Sequence, residues 1–428
     1  MYKVLVIAYY FPPMGLSGVQ RTLKFVKYMK NYNWEPTVLT SDSTGYYAHD
    51  FFLLKEAEKA NIKIVRVSGK GINAKLASKG TVKIPPEFIR KFLSRLSSTF
   101  FIPDNKRGWA NEAFPVAEKL LQEEKFDLIF VSAPPFSSVN MAVKLNKKFN
   151  IPLIIDYRDL WYGNQFGFYP TPYHRYLHKK MEYKALKTAD KIIATNRKMK
   201  EKIIEKYQFL TFEDIYIIPH GYDPEDFKDL KIEKKSNSKM RLTYSGIFYE
   251  FVTPKYFLHA FKELSIERPD VTANIELHFV GYLRNENKKL VKKLEMQEVV
   301  KEYGYLNHNE ALTKLMSSDI LWMMVGNGRN ADTISSGKLY EYFGTRKPLL
   351  VSVPDGALKT AANEYKAAYI TKPDDVDEIK KNILKIYEDY VKNSLPVPDE
   401  EFIIKHRRDF LTELLTKQFQ FSVKEGVL

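Results

Sequence analysis

One pattern repeats along the 428 residues of this chain: a short apolar run, a polar turn, then a stretch with helical periodicity. In the first half the apolar runs are KVLVIAYY (3–10), PTVLT, IKIVRV, DLIFVS, PLIID, KIIAT and IYIIP. In the second half they are RLTYSG, NIELHFVG, VVKEYGYL, DILWMMVG, KPLLVSV and AAYI. Apolar runs without strict alternation suit strands buried on both faces. Strands separated by helices pair in parallel, and the helices cover the sheet on both sides. The expected fold class is therefore α/β, with two doubly wound, Rossmann-like domains. A polar stretch, DPEDFKDLKIEKKSNSK, divides the series. The expected boundaries are a first domain over 1–220, a linker over 221–240, a second domain over 241–400 and a final helix within 401–428.

Composition narrows the chemistry. With no cysteine, disulfide frameworks, thiolate zinc sites and cysteine nucleophiles are excluded. The eight histidines form no HExxH and no tight cluster with carboxylates, so no metal site is expected. MYKVLVIAYYFPP has too few apolar residues before its double proline for a signal peptide or membrane span, and reads as a first strand. A cytoplasmic setting fits. The net charge of +15 points to an anionic partner. Arg66 to Arg107 holds ten Lys/Arg against Glu87 and Asp104, a local balance of +8. Residues 79–107, which include EFIRKFLSRLSSTFFIP, interleave these bases with Phe, Leu and Ile. That suits a helix lying on an anionic membrane, although an ordinary basic surface helix would look the same. Nucleic acid is not expected, because no RRM, KH or RGG pattern occurs.

Ligands of open α/β sheets bind at the carboxyl ends of strands, so the strand endings carry the candidate chemistry. After the first strand, Gly15 and Gly18 allow a phosphate or sugar to approach the backbone, or simply make a tight turn into the next helix. DYRDLW places Asp156, Arg158 and Asp159 at one strand end, as a coupled reactive group or as a structural Arg–Asp pair. The stretch TISSGKLYEYFGTRKPLLVSVP (333–354) reads as loop, helix of about three turns, and buried strand. Ser335, Ser336 and Gly337 leave N–H groups at the positive helix end, Lys338 adds a mobile charge, and Glu341 lies one turn on along the same face. Phosphates at the helix end and a ribose diol at Glu341 would use these groups; a plain capped helix with a solvated Lys–Glu pair is the alternative. Asp375-Val376-Asp377 has the form of a metal-binding DxD, but it follows Lys372-Pro373 at a helix start, where capping explains it.

Taken together, VLVIAYYFPPMGLSGVQRTLKFVKYM, WEPTVLTS, FVSAPPFSS, PLIIDYRDLW, IIPHGYDPEDF, LTYSGIFY and SGKLYEYFGTRKPLL resemble glycosyltransferase family 4 of the GT-B superfamily, in order along nearly the whole chain. The resemblance implies two facing Rossmann-like domains with a cleft between them, the donor nucleotide on the C-terminal one and the acceptor on the N-terminal one. It implies sugar transfer with retained anomeric configuration, no metal and no enzyme nucleophile, and a C-terminal helix that returns to the first domain. Of the family's Glu-x7-Glu motif, the second Glu, which binds ribose, matches Glu341. The segment whose amides hold the diphosphate matches Gly337-Lys338-Leu339, and Tyr305 falls in the base-binding loop.

Three departures stand out. Thr333 replaces the first Glu of the motif. Gly246 is followed by Ile247-Phe248-Tyr249 where the family has Arg and Lys, so Lys338 is expected to supply the charge. The family's active-site His falls at Arg158, which cannot act as a base. The expected groups are then Asp156, Arg158, Asp159 and Lys338 for catalysis, and Gly15, Gly18, Gly246, Tyr305, Ser336, Gly337, Lys338, Leu339 and Glu341 for the donor. The expected activity is transfer from a nucleoside diphosphate sugar, UDP-linked by preference, to a glycan or polyprenyl-linked acceptor in surface polysaccharide assembly. A peripheral position on the inner face of the cell membrane goes with it. The runners-up are a non-hydrolysing nucleotide-sugar 2-epimerase and a catalytically silent GT-B partner subunit.

Overall fold

The computed structural model describes residues 1–15, 17–42, 48–68 and 87–425. The chain divides into two compact units, Met1–His220 with Arg408–Leu428, and Gly221–Arg407.

The first unit is built on strands β1 (Tyr2–Ile7), β2 (Trp34–Ser41), β3 (Lys63–Val67), β4 (Leu128–Ala133), β5 (Leu153–Tyr157), β6 (Lys191–Ala194) and β7 (Ile215–Ile217). They form one parallel sheet in the order β3-β2-β1-β4-β5-β6-β7. Its helices are α1 (Ser17–Met29), α2 (Phe51–Lys59), α3 (Glu87–Phe100), α4 (Arg107–Glu123), α5 (Phe136–Phe149), α6 (Pro172–Thr188) and α7 (Arg197–Lys206). The second unit carries β8 (Met240–Ser245), β9 (Ile275–Val280), β10 (Val300–Gly304), β11 (Ile320–Met324), β12 (Leu349–Ser352) and β13 (Ala368–Thr371). These too are parallel, in the order β10-β9-β8-β11-β12-β13. Its principal helices are α8 (Lys255–Glu267), α9 (Asn285–Lys293), α10 (His308–Met316), α11 (Gly337–Thr345), α12 (Ala357–Tyr365), α13 (Val376–Val391) and α14 (Glu400–Lys405).

Both orders reverse direction once, between β1 and β4 and between β8 and β11, the switch points at which such sheets bind ligands. The apolar runs show why the strands are buried on both faces. Ile320, Trp322 and Met324 of β11 enter one core, while Leu321 and Met323 enter another on the opposite face. Replacing Trp322, which is 1% exposed, with alanine costs about 3–5 kcal/mol.

Two expected boundaries are corrected. Residues 221–240 are not a free linker but belong to the second unit. Phe227 and Leu230 pack against its core, and Lys235 Nζ lies 2.6 Å from Asp319. The final stretch is two helices: α14 stays with the second unit, and α15 (Arg408–Glu425) with the first. Leu411, Leu415 and Phe419 of α15 join the first core, with the Phe419 ring 5.1 Å from Trp34 and 5.3 Å from Phe130.

Candidate active site

In the second unit the candidate donor site gathers at the carboxyl end of β8. Gly246 follows that strand with φ +136°. A Cβ there would lie 1.9 Å from Lys338 Nζ, so glycine is required both by the backbone and by the ammonium seated over it. Lys338 leaves the first turn of α11, and its Nζ stands 3.3 Å from Tyr244 Oη and 5.0 Å from the Tyr244 ring. Burial lowers its pKa to about 8, and the Glu341 carboxylate works in the opposite direction. A charge held with so little water around it is available to an anion at low reorganisation cost. Ser336 is the N-cap of α11 and uses no side-chain cap bond; Gly337 is the first helical residue, and Leu339 is buried in the core. The helix has nine residues, two and a half turns. Gly344 lets it meet Tyr222, whose ring atoms would sit 2.7 Å from a Cβ.

Glu341 lies one turn beyond Lys338. Its Oε1 is 3.8 Å from Nδ1 of His308, and Nε2 of that histidine is 3.0 Å from Asp226 Oδ2. The line Asp226–His308–Glu341 ties α11 to the residues that open the second unit. Nothing in the sequence singled out His308 or Asp226, which are 82 positions apart. Tyr305 stacks on Tyr282 with centroids 5.9 Å apart and planes at 17°. Thr333 is buried and donates from Oγ1 to the Asn330 carbonyl at 2.8 Å, so it serves the turn before α11. Asp375 accepts from Glu378 N at 2.9 Å as the N-cap of α13, which is the expected capping role.

In the first unit, the DYRDLW residues separate into different roles. Asp156 does not pair with Arg158. It is wholly buried and bound by the Arg21 guanidinium at 2.8–3.2 Å and by Ser132 Oγ at 3.1 Å. Arg21 also donates to the Pro219 and Ile218 carbonyls at 2.8 and 2.9 Å. Asp156 thus fastens α1 to the sheet and to the end of β7. Arg158 donates to three carbonyls instead: Ala133 at 3.3 Å, Gly18 at 2.5 Å, and Pro134. Carbonyl dipoles solvate its charge without cancelling it. Burial lowers its pKa, the nearby Asp156 and Asp159 resisting. Gly18 sits against this guanidinium, where a Cβ would be 3.0 Å from Nη1. Gly15 donates to the Ala48 carbonyl at 2.9 Å and tucks its loop inward. Asp159 has its pKa raised by burial, against Arg158 and the Gln165 amide at 3.4 Å. His220, buried and faced by the charges of Arg21, Arg408 and Arg158, is held well below its usual pKa and stays neutral at pH 7.

The basic aromatic segment has a described part, α3. Residues 79–86, Lys83 among them, lie outside the described residues, as does Leu16 of the glycine loop. Helix α3 turns its apolar side chains outward: Phe88, Phe92 and Phe100 are 74, 65 and 72% exposed, and Leu96 is also open. Arg90, Ser97, Ser98 and Thr99 are the less exposed positions. This is the reverse of a helix that covers its own protein. No helix among the described residues is long and apolar enough to cross a membrane.

Residues 69–226 match the sequence pattern of Glycosyltransferase Family 4, and residues 223–397 match that of Glycosyl transferases group 1. No curated relative matches the sequence. Among solved structures, a glycosyltransferase from Rickettsia africae aligns over 99% of each chain at TM-score 0.64 and 15% identity. HepE of Anabaena in complex with UDP aligns over 99% of this chain and 98% of its own at TM-score 0.56 and 13% identity. The lipopolysaccharide outer core galactosyltransferase WaaB aligns over 98% and 99% at TM-score 0.57 and 14% identity. At these identities the likeness is one of fold. The chain belongs to the glycosyltransferase family 4 type, with the GT-B fold of two Rossmann-like units and a group 1 glycosyltransferase domain.

Proposed function

We propose that this protein is a retaining, metal-independent glycosyltransferase that takes a sugar from a UDP-sugar and places it on a polyprenyl-linked or glycan acceptor during surface polysaccharide assembly. The observation that carries the reading is Lys338 over Gly246, with Glu341 a turn away. This pair supplies one fixed cation for a diphosphate and one carboxylate for a ribose diol, in the unit whose sequence matches the group 1 pattern. The complex of HepE with UDP-glucose supports a UDP-linked donor. Tyr305 would stack on the base.

In the reaction, the bond between the anomeric carbon and the diphosphate oxygen breaks while the acceptor hydroxyl attacks from the same face. The hydroxyl proton passes to the departing phosphate, so no side chain acts as nucleophile. Lys338 stabilises the charge that grows on the diphosphate. Arg158 serves as a fixed positive group in the acceptor unit and Asp159 orients the acceptor, while Asp156 acts on both only by holding α1 and β5. The outward apolar face of α3, with Arg90, Lys91 and Arg95 beside it, supports a peripheral seat on the cytoplasmic membrane surface.

The test is product analysis with a panel of UDP-sugars, with and without a polyprenyl diphosphate-linked acceptor in vesicles. Consumption of one donor only when acceptor is present, with the anomer retained by NMR, is the expected result. Conversion of the donor alone would identify a 2-epimerase. Absence of both turnover and nucleotide binding would leave the silent-subunit reading.

A further inference from the structure

Helix α6 carries Arg175, Lys179, Lys180, Lys184 and Lys187 against a single carboxylate, Glu182, and Glu182 is wholly buried. Every charge that α6 presents to solvent is therefore positive. Like charges at i,i+4, such as Lys180 and Lys184, disfavour a helix by a few tenths of a kilocalorie per pair. No ion pair to Lys179, Lys180, Lys184 or Lys187 occurs among the described residues. The cations alternate with exposed rings. Tyr173, Tyr176 and Tyr183 stand on one stripe with Lys180 and Lys187, by the 3–4 spacing of the helix. Lys180 Nζ lies 5.7 Å from the Tyr176 ring and Lys187 Nζ 5.8 Å from that of Tyr183. Beside the stripe an open groove of about 480 Å³ runs between α6 and the residues that end α7, with Phe209 at its edge.

The chemistry of the groove's occupant follows from these groups. Its walls offer ammonium groups and aromatic faces, no carboxylate lines it, and the one carboxylate of α6, Glu182, is buried. An anionic group with apolar material attached fits; a cationic or neutral sugar does not use the charge. The neighbouring element selects between anionic macromolecules. The start of α6 touches the end of α3, His174 Nε2 lying 3.1 Å from the Thr99 carbonyl, and Arg95 stands 5.4 Å over the Phe168 ring. A helix with phenylalanines turned outward adjoins the cationic stripe, a combination suited to lipid rather than to nucleic acid. Tyrosine and lysine are the side chains that settle at the headgroup level of a bilayer.

We infer that the groove between α6 and α7 seats the phosphate headgroup of an anionic membrane lipid, gripped by Lys179 and Lys180, so that attachment to the membrane requires anionic lipid and not merely an apolar surface. The inference rests on the membrane part of the proposed function and adds a second, electrostatic contact to it.

The test is sedimentation of the full chain with vesicles of phosphatidylcholine alone or with 30% phosphatidylglycerol. Wild type partitions onto the anionic vesicles at least tenfold more strongly, less so as salt rises. Lys179→Ser with Lys180→Ser, at two exposed positions that leave the fold alone, lowers that partition by about tenfold or more. Lys289→Ser with Lys292→Ser, in the second unit, leaves it unchanged. Equal binding of the α6 double variant and wild type overturns the inference. Competition by soluble glycerol phosphate without any vesicle preference overturns it, as does binding of single-stranded RNA through the same lysines with no vesicle binding. Phe88→Ser with Phe92→Ser separates the readings: loss with this pair but not with the lysines keeps the α3 membrane seat and discards the groove. UDP titration in solution, which neither pair should move, reports independently on the transferase reading.

Discussion

Replacing Gly246 with alanine would place a methyl carbon 1.9 Å from Nζ and 2.5 Å from Cε of Lys338. The lysine is the flexible partner, so it swings away from Tyr244 rather than forcing the strand to move. The backbone contributes a separate cost, because φ is +136° at this position. A non-glycine residue in so sparsely populated a region loses about 1–3 kcal/mol of stability. Loss of a charge-assisted contact to phosphate costs a further 1.5–3 kcal/mol of binding, roughly 10- to 150-fold in Kd. The two costs separate in a cycle of wild type, Gly246→Ala, Lys338→Met and the double variant. Urea unfolding reads stability and calorimetric titration with UDP reads affinity. Each single variant should weaken UDP binding by a similar factor, and the double variant should bind no worse than Lys338→Met alone. Stability should fall in both variants that carry the alanine. Additive binding losses would refute the reasoning, since Gly246 would then act on the ligand by a route that does not pass through the ammonium.

Other consequences follow from the same physics. With burial holding the Lys338 pKa to about 8, UDP affinity should fall as pH rises from 7 to 9, and titrations of Lys338→Met should be flat over that range. His308→Ala should weaken UDP binding about 2- to 10-fold, with a smaller effect on 2′-deoxy-UDP, because it releases Glu341 from the line to Asp226. Glu182, raised to about 7 by burial, is protonated in the folded chain well above its unfolded pKa. Stability should therefore decline between pH 4.5 and 7, by up to about 3 kcal/mol, and Glu182→Gln should remove that slope in denaturation curves.

The strands were legible because their apolar runs feed cores on two faces, as ILWMM in β11 does, and a buried parallel strand needs that composition. The 221–240 stretch was misread because its polar residues outnumber Phe227 and Leu230, which nevertheless dock on the second core. In the candidate site, local spacing was enough to put Lys338 and Glu341 a turn apart on one helix. Their supports were not legible in this way. Tyr244 lies 94 positions before Lys338, and Arg21 lies 135 before Asp156. Arg21, Thr22 and Lys24 of α1 are all buried, because that helix packs against both the sheet and α15. Such pairings depend on which elements the fold brings together, and no local pattern encodes them.

The central claim is that the second unit holds a nucleoside diphosphate by Lys338 and Glu341. Calorimetric titration of UDP, GDP, dTDP and ADP into wild type and Glu341→Ala tests it most directly. The account predicts preferential binding of UDP, weakened at least tenfold in the variant while the fold and thermal transition stay unchanged. Failure of all four nucleotides to bind, or equal binding by wild type and Glu341→Ala, would contradict it.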